Sequence, residues 1–96
     1  MIIPDVNILL YAYNRDAPDH GAAREWWEDL MQSGGPIGLA WVVILGFLRV
    51  STHPRIWPNP MSPAEAARHI RSWLGQPNVQ IITPGERHAD VLLALL

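Results

Sequence analysis

The chain of 96 residues contains no cysteine and no lysine, and only 17% of its residues are charged. Without cysteine it can form neither disulfide bonds nor thiolate metal sites. No stretch reaches the roughly 20 consecutive apolar residues of a membrane span. No basic segment precedes the apolar run at the amino end, as a signal peptide would require. We therefore expect a soluble, cytoplasmic protein with no membrane partner.

The net charge of the chain is −2 and its pI lies near 6.0, so overall charge does not indicate nucleic-acid binding. An RNA or DNA substrate would have to be held by local arginines and by metal. Five tryptophans are a large apolar content for so short a chain, and they are typical of surfaces that meet a partner.

Segments typical of strands and helices alternate along the chain in the order β-α-α-β-α-α-β-α. This order predicts an α/β fold in which helices pack on a parallel sheet, within one domain over 1–96. The apolar stretch 40–50 fits a strand or a helix, and its length favours a buried helix. The other predicted strands are 1–5, 36–39 and 79–82; the other predicted helices are 6–14, 20–33, 62–74 and one that begins at 83–86. Three prolines predict a loop over 51–61.

Several helix ends carry local signals. Asp19 is placed to cap the second helix, and Gly34-Gly35 ends it. Residues 62–65 (Ser-Pro-Ala-Glu) and 83–86 (Thr-Pro-Gly-Glu) are capping boxes with proline at the first helical position. These signals predict where each helix begins or stops without reference to the rest of the fold.

The tryptophans fall into two groups by their predicted environment. Trp57 lies in the proline-rich loop, so we expect it to be exposed to a partner protein or a stacked base. The other four are expected in the core: Trp26, Trp27, Trp41 and Trp73.

Asp5 is the most informative single residue. It ends a short apolar run and directly precedes a helix-like pattern. A carboxylate at the carboxyl end of a buried strand lies where open α/β sheets bind their ligands. A buried acid is costly without a partner, and a metal ion is a natural one. The alternative is that Asp5 only caps the following helix.

The last residues, Val91 to Leu96, form an apolar run with no stop signal and no polar tail. An uncovered apolar patch of this kind favours association, and a three-stranded parallel sheet leaves open edges. We therefore interpret the sequence as a fragment of a larger domain.

Together these motifs resemble those of PIN-domain ribonucleases, most of all the VapC-type toxins of type II toxin–antitoxin modules. The resemblance covers the whole chain but only the amino-terminal two thirds or so of that domain. It implies a three-layer α/β/α PIN-like fold with a short parallel sheet, lacking its carboxyl-terminal helix and strands. The segments that carry it are Met1–Asn7, Asp19-His20, Gly46–Arg49, Ser51–Ile56, Arg71–Leu74 and Thr83–His88.

The resemblance implies a metal-dependent endoribonuclease that is inhibited by a small VapB-type antitoxin. Members of the family use a cluster of acids to hold Mg²⁺ or Mn²⁺, which positions and activates water for attack on an RNA phosphodiester. Asp5 matches the first acid of that cluster, as catalytic residue and metal ligand. Asn7 matches a position that orients the acid or a bound water, although a turn or cap residue would fit there equally.

The sequence also departs from the family pattern. The second acid of the family usually lies in the helix here spanning 40–48, which contains none, and the later acids belong to segments that this chain lacks. One carboxylate is a poor Mg²⁺ site. We therefore expect the isolated chain to have little or no nuclease activity.

Three further residues are candidates for RNA binding. Arg49 follows the apolar helix and could contact phosphate or pair with an acid near Asp5; a solvated arginine favoured by the helix dipole is the alternative. His53 and Arg55 lie in the proline-rich loop, where surface residues without a function are common. The family also makes a homodimer plausible.

Two other interpretations stay open. The chain could be a non-enzymatic, degenerate toxin fragment that binds an antitoxin or self-associates. It could also be an unrelated enzyme, such as a phosphotransferase with Asp5 as nucleophile. That class normally carries a second acid two residues on, where this chain has Asn7.

Overall fold

The computed structural model describes residues 1–83, which form four helices and two strands. In chain order these are α1 (Val6–Tyr13), α2 (His20–Ser33), β1 (Ile37–Ala40), α3 (Trp41–Ser51), α4 (Pro63–Leu74) and β2 (Val79–Ile82). The α/β fold class predicted from the sequence is confirmed. The capping box at 83–86 and the helix predicted after it extend outside the described residues.

The sheet is parallel, and its strands lie in the order in which they occur along the chain. β1 pairs with β2 from Ile37↔Val79 to Ala40↔Ile82. On the other side of β1 the amino-terminal segment makes one parallel bridge, Ile2↔Ile37. The Ile2 amide donates to the Pro36 carbonyl at 3.1 Å, and the Gly38 amide donates to the Ile2 carbonyl at 2.9 Å.

The predicted first strand over 1–5 is therefore wrong in extent, since within residues 1–83 it is reduced to that one bridge. The physical reason is local. Pro4 has no amide hydrogen to donate to a ladder, and α1 begins only two residues later, at Val6. The direction of the segment is nevertheless the predicted one, because the bridge is parallel.

Tyr13 joins three helices in the core through its hydroxyl group. The indole Nε1 of Trp27 on α2 donates to the Tyr13 oxygen at 3.0 Å, and Nε1 of Trp73 on α4 donates to it at 2.8 Å. Phe47 of α3 packs edge-on against Trp73, with ring centroids 4.8 Å apart. Aromatic pairs of this geometry stabilise a core beyond the area that they bury. Leu9, Ile37 and Leu39 are completely buried around this cluster.

The prediction that four tryptophans lie in the core holds for Trp27 and Trp73 and is wrong for the other two. Trp26 and Trp41 are exposed. Trp57, expected at the surface, is half-buried and packs against the core. The helix predicted to be buried, α3, buries only one face, and Val42 on its outer face is 74% exposed.

The helix signals were mostly correct. The Ser62 hydroxyl accepts the Glu65 amide at 3.1 Å and so caps α4, as predicted. Gly34 ends α2 in the left-handed conformation, with φ of 73°. Asp19 stands at the predicted position before α2 but makes no capping hydrogen bond, because its backbone is not extended (ψ 21°). Within residues 1–83 no helix combines the length and the apolar character needed to cross a bilayer.

Candidate functional site

Asp5 lies where the amino-terminal segment ends and α1 begins. Its backbone is extended, and its Oδ1 accepts the amide hydrogen of Asn7 at 2.9 Å, so it is the N-cap of α1. Within residues 1–83 its other oxygen, Oδ2, has no hydrogen-bond partner, and the side chain is exposed. The capping role is therefore real, and it leaves one carboxylate oxygen available to a ligand.

The parallel sheet places Asp5 at the edge where ligands are expected. Because the amino-terminal segment, β1 and β2 all run in one direction, their carboxyl ends face the same side of the molecule. In open α/β sheets ligands bind outside the carboxyl ends of the strands. The position inferred for Asp5 from sequence thus agrees with the topology of the fold.

Asp5 and Asn7 line a groove of about 610 Å³ between α1, α2 and the amino-terminal segment, which we call the α1–α2 groove. Its polar lining consists of Asp5, Asn7 and Asp19, and its apolar walls are Ile2, Ile3, Pro4, Ile8, Tyr11, Ala22, Ala23 and Trp26. Asp5 and Asn7 flank Val6, the first residue of α1. A mostly apolar concave surface with a few convergent polar groups is typical of a binding site.

Asp19 also lines the groove, and the sequence did not reveal this. The Nδ1 of His20, the first residue of α2, lies 2.9 Å from the carbonyl oxygen of Tyr11. At 1.5 Å per residue, Tyr11 is about 9 Å along α1 from Asp5, so α2 begins beside a later turn of α1 than the one that Asp5 caps. The short turn between two consecutive helices was the signal that could have placed Asp19 beside α1.

The predicted RNA-contacting residues lie away from the groove. Arg49 is exposed in the last turn of α3, about 12 Å along that helix from the carboxyl edge of β1. His53 and Arg55 are exposed in the loop after α3, where the Arg55 amide donates to His53 Nδ1 at 3.1 Å. None of the three lines the α1–α2 groove. The structure therefore does not bring them together with Asp5.

The metal-binding capacity of this site is limited to a few oxygen donors. Carboxylate and amide oxygens are the ligands that Mg²⁺ and Mn²⁺ prefer, so Asp5 and Asn7 have suitable chemistry. In the part of the chain that is described, however, no three acidic or histidine side chains lie close enough together to hold a metal ion. Asp5 and Asn7 thus fit one corner of a metal site but do not complete it.

A second, more polar cavity of about 310 Å³ lies between α1, α2 and α4 and does not include Asp5. His69 on α4 lines it, with its ring 4.5 Å from the ring of Tyr13. Burial lowers the pKa of His69 below its ordinary value; Glu65 partly opposes this effect, and Arg68 adds to it. The neutral form of His69 is therefore favoured in the folded protein.

Comparison with known proteins gives consistent matches. A family model described as PIN domain matches residues 2–96. The chain is 45% identical to Ribonuclease VapC33 of Mycobacterium tuberculosis and 33% identical to Ribonuclease VapC37 of the same species. Each alignment covers all of this chain and 67% of the relative. A VapC ribonuclease of Mycobacterium bovis, Mb2897, is 38% identical over 88 residues, which are 92% of this chain and 60% of that protein.

Proposed function

The chain belongs to the PIN-domain family, and from this membership we propose that it acts as an endoribonuclease toxin of a toxin–antitoxin module. Its substrate is RNA, its reaction is phosphodiester hydrolysis, and its place is the cytoplasm. The observation that carries the proposal is the 45% identity to a VapC ribonuclease over all 96 residues. The position of Asp5 at the carboxyl edge of the sheet supports it, with one carboxylate oxygen that accepts no hydrogen bond from residues 1–83.

We assign Mg²⁺ or Mn²⁺ as the cofactor of the complete site, with Asp5 as one ligand. In such a site the ion offsets the charge of the phosphate and lowers the pKa of bound water. Asp5 Oδ2 is the donor suited to this role, because Oδ1 already accepts the Asn7 amide. Asn7 also lines the α1–α2 groove, and its proposed role is to orient Asp5 or a bound water molecule.

The described residues supply too few acids for an active site, so we propose that the chain alone has little or no nuclease activity. A hydrated Mg²⁺ ion is usually held by one or two carboxylates together with substrate phosphates. Within residues 1–83 no three acidic or histidine side chains come close enough together to hold an ion. The remaining acids must come from outside this part of the chain.

The proposed partners are RNA, a VapB-type antitoxin and a second copy of the chain. Arg49, His53 and Arg55 are exposed, as RNA-binding residues must be, although they lie away from the α1–α2 groove. The apolar outer face of α3 supports a homodimer.

The second candidate function is a degenerate toxin fragment without catalysis, which binds an antitoxin or self-associates. The shortage of acids among residues 1–83 favours it.

The experiment uses a chimera in which residues 1–96 are followed by the last third of Ribonuclease VapC33. We expect the chimera to cleave RNA in the presence of Mg²⁺ and to lose this activity when the metal is chelated. Residues 1–96 alone should not cleave RNA. Asp5→Asn removes the charge but keeps an oxygen that can cap α1. Asp5→Asn should abolish cleavage and leave the free energy of unfolding nearly unchanged, while Asp5→Ala should also lower stability by about 1 kcal/mol.

Two outcomes contradict the proposal. A folded chimera that does not cleave RNA favours the degenerate fragment, and cleavage that survives Asp5→Asn removes Asp5 from the site. The free energy of unfolding, measured in urea, shows that each variant is folded. Cleavage by residues 1–96 alone, lost in Asp5→Asn, would contradict only the proposed inactivity of the isolated chain.

A further inference from the structure

The charges of the chain are divided between two parts of the fold. Residues 1–29, which include α1 and most of α2, carry six acids and two arginines, a net charge of −4 with histidine neutral. Residues 30–83 carry four arginines and a single acid, Glu65, a net charge of +3. A surface of one sign attracts ligands of the opposite sign even where the overall charge does not. The basic part of the chain is therefore the place to look for an anionic partner.

Helix α4 presents two of these arginines, Arg68 and Arg71, on one face, which we call the α4 arginine face. They lie three positions apart, about 4.5 Å along the helix axis, and both are exposed. Ala66 and Trp73 bury the opposite face, so packing in the core fixes which face of α4 meets solvent. In the described part of the chain neither arginine forms an ion pair, although Glu65 lies three positions before Arg68. Both charges are thus available to a ligand from a rigid helix.

The side chains around these arginines indicate that the ligand is a polyanion. The exposed large apolar side chains of residues 1–83 all lie outside α4. Protein interfaces centre on aromatic and apolar side chains with few charges, so the α4 arginine face lacks the centre of such an interface. Guanidinium groups bind phosphate through two parallel hydrogen bonds. Their separation along the helix, about 4.5 Å, is close to the rise of about 3.4 Å between successive phosphates of one nucleic-acid strand.

The acids of the α1–α2 groove explain why RNA needs a separate basic surface. Asp5 and Asp19 line that groove, and their charges repel phosphate wherever no metal ion offsets them. No residue of α4 lines the groove. We propose that the α4 arginine face binds the phosphate backbone of single-stranded RNA and anchors it outside the α1–α2 groove. The choice of RNA as the polyanion rests on the proposed function, whereas binding at this face requires no cleavage.

The test measures RNA binding by residues 1–96 in the absence of cleavage. A fluorescently labelled single-stranded RNA of about 12 nucleotides is titrated in EDTA, and its anisotropy gives the Kd at salt concentrations of about 50 to 200 mM. The α4 double variant combines Arg68→Gln with Arg71→Gln, and glutamine preserves the helix. We expect its Kd to be about tenfold higher at the lowest salt. Because each lost phosphate contact lowers the slope of log Kd against log salt concentration by about 0.7, this slope should fall by about 1.4.

A control double variant, Arg15→Gln with Arg24→Gln, removes the same charge from the acidic part of the chain. Both arginines are exposed, and Arg24 is already paired with Glu28 at 2.9 Å. We expect its Kd to stay within about twofold of the parent value and its salt slope to be unchanged. Urea denaturation shows that both double variants are folded.

The chimera with the last third of VapC33 gives a second measurement. Removal of an anchor that holds substrate and transition state equally raises KM and leaves kcat unchanged. In the chimera the α4 double variant should therefore raise KM about tenfold and keep kcat within about twofold. A purely structural role of the two arginines would lower the free energy of unfolding and leave the salt slope of RNA binding unchanged.

Several results would overturn the inference. The folded parent could fail to bind RNA at about 50 mM salt, the two double variants could weaken binding equally, or the salt slope could be unchanged in the α4 double variant. Tighter binding of poly-glutamate than of RNA, lost in the α4 double variant, would assign the face to an acidic protein. A chimera that does not cleave, with RNA binding that depends on Arg68 and Arg71, would contradict the proposed function and leave this inference standing.

Discussion

The Tyr13 hydroxyl is the residue-scale feature on which the core most depends. It accepts hydrogen bonds from two indole nitrogens that belong to different helices, and both Trp27 and Trp73 are buried. A single oxygen thus satisfies two buried donors. Removing it leaves both indole groups without an acceptor, and each buried unsatisfied donor costs about 1–3 kcal/mol.

We therefore predict that Tyr13→Phe lowers the free energy of unfolding by about 2–4 kcal/mol, which urea denaturation followed by tryptophan fluorescence measures. Tyr11→Phe is the matched control. The Tyr11 hydroxyl makes no hydrogen bond with residues 1–83, so its removal should cost less than about 0.5 kcal/mol. Equal effects of the two substitutions would show that the shared oxygen is not the source of the stability.

His69 makes the free energy of unfolding depend on pH, and the structure gives the sign of that dependence. Burial lowers the pKa of His69 from 6.5, the ordinary value of histidine. As pH falls below that value, the unfolded chain binds the proton before the folded protein does. The contribution of His69 to stability is therefore complete above about pH 6.5 and is lost as pH falls toward its pKa in the folded protein.

We predict a lower free energy of unfolding at about pH 5.5 than at about pH 7.5, and a smaller difference between the two in His69→Gln. Urea denaturation of the parent chain and of His69→Gln at the two pH values measures this difference in the free energy of unfolding. An unchanged difference in His69→Gln would assign the pH dependence to other groups.

At the scale of the helices and strands, α2 contains two glycines with opposite consequences. Gly34 ends the helix with φ of 73°, a conformation that costs other residues about 1 kcal/mol or more. Gly21 lies within the helix, and nothing approaches within 4 Å of the place where a Cβ would stand. Alanine there removes the entropic cost of glycine without a clash.

We predict that Gly34→Ala lowers the free energy of unfolding by about 1 kcal/mol, while Gly21→Ala raises it by about 0.5–1 kcal/mol. Thermal and urea denaturation of the two single variants measure these changes. Two changes of the same sign would contradict the assigned end of α2.

The ends of the helices could be predicted from the sequence because they depend on local signals. Gly34 and Ser62 define helix ends through their own backbone and side-chain chemistry, so the bounds of α2 and α4 were predicted almost to the residue. The strand at the amino end was overestimated, although its limits are also local: Pro4 cannot donate to a ladder, and α1 begins at Val6.

Burial and the candidate site were predicted less completely, because they depend on tertiary packing. Trp26 and Trp27 are neighbours in sequence, yet one faces the groove and the other the core. Asp5 could be inferred because its place at the end of a strand is visible in the sequence. Asp19 could not, since its position in the groove depends on how α2 packs against α1.

At the scale of the whole molecule, the outer face of α3 presents an exposed apolar surface. Val42 is 74% exposed, and Trp41 and Leu45 beside it are also exposed. An apolar surface of this kind promotes association in a protein with few charges. The face lies on a helix other than those of the α1–α2 groove, so the two surfaces can be tested separately.

We predict that the chain self-associates at micromolar concentration and that Val42→Glu shifts it toward the monomer by about tenfold or more in dissociation constant. Sedimentation at several concentrations measures this. Ile56→Glu is the control, because Ile56 is 50% exposed in the loop after α3, away from this face. A monomer at every concentration would contradict the prediction.

The hydrogen bond between Tyr13 and Trp73 joins residues 60 positions apart. At ribosomal rates of about 5–20 residues per second, roughly 3–12 s pass between the synthesis of the two. The nascent polypeptide therefore spends that interval with its aromatic centre unfinished, open to chaperones and proteases.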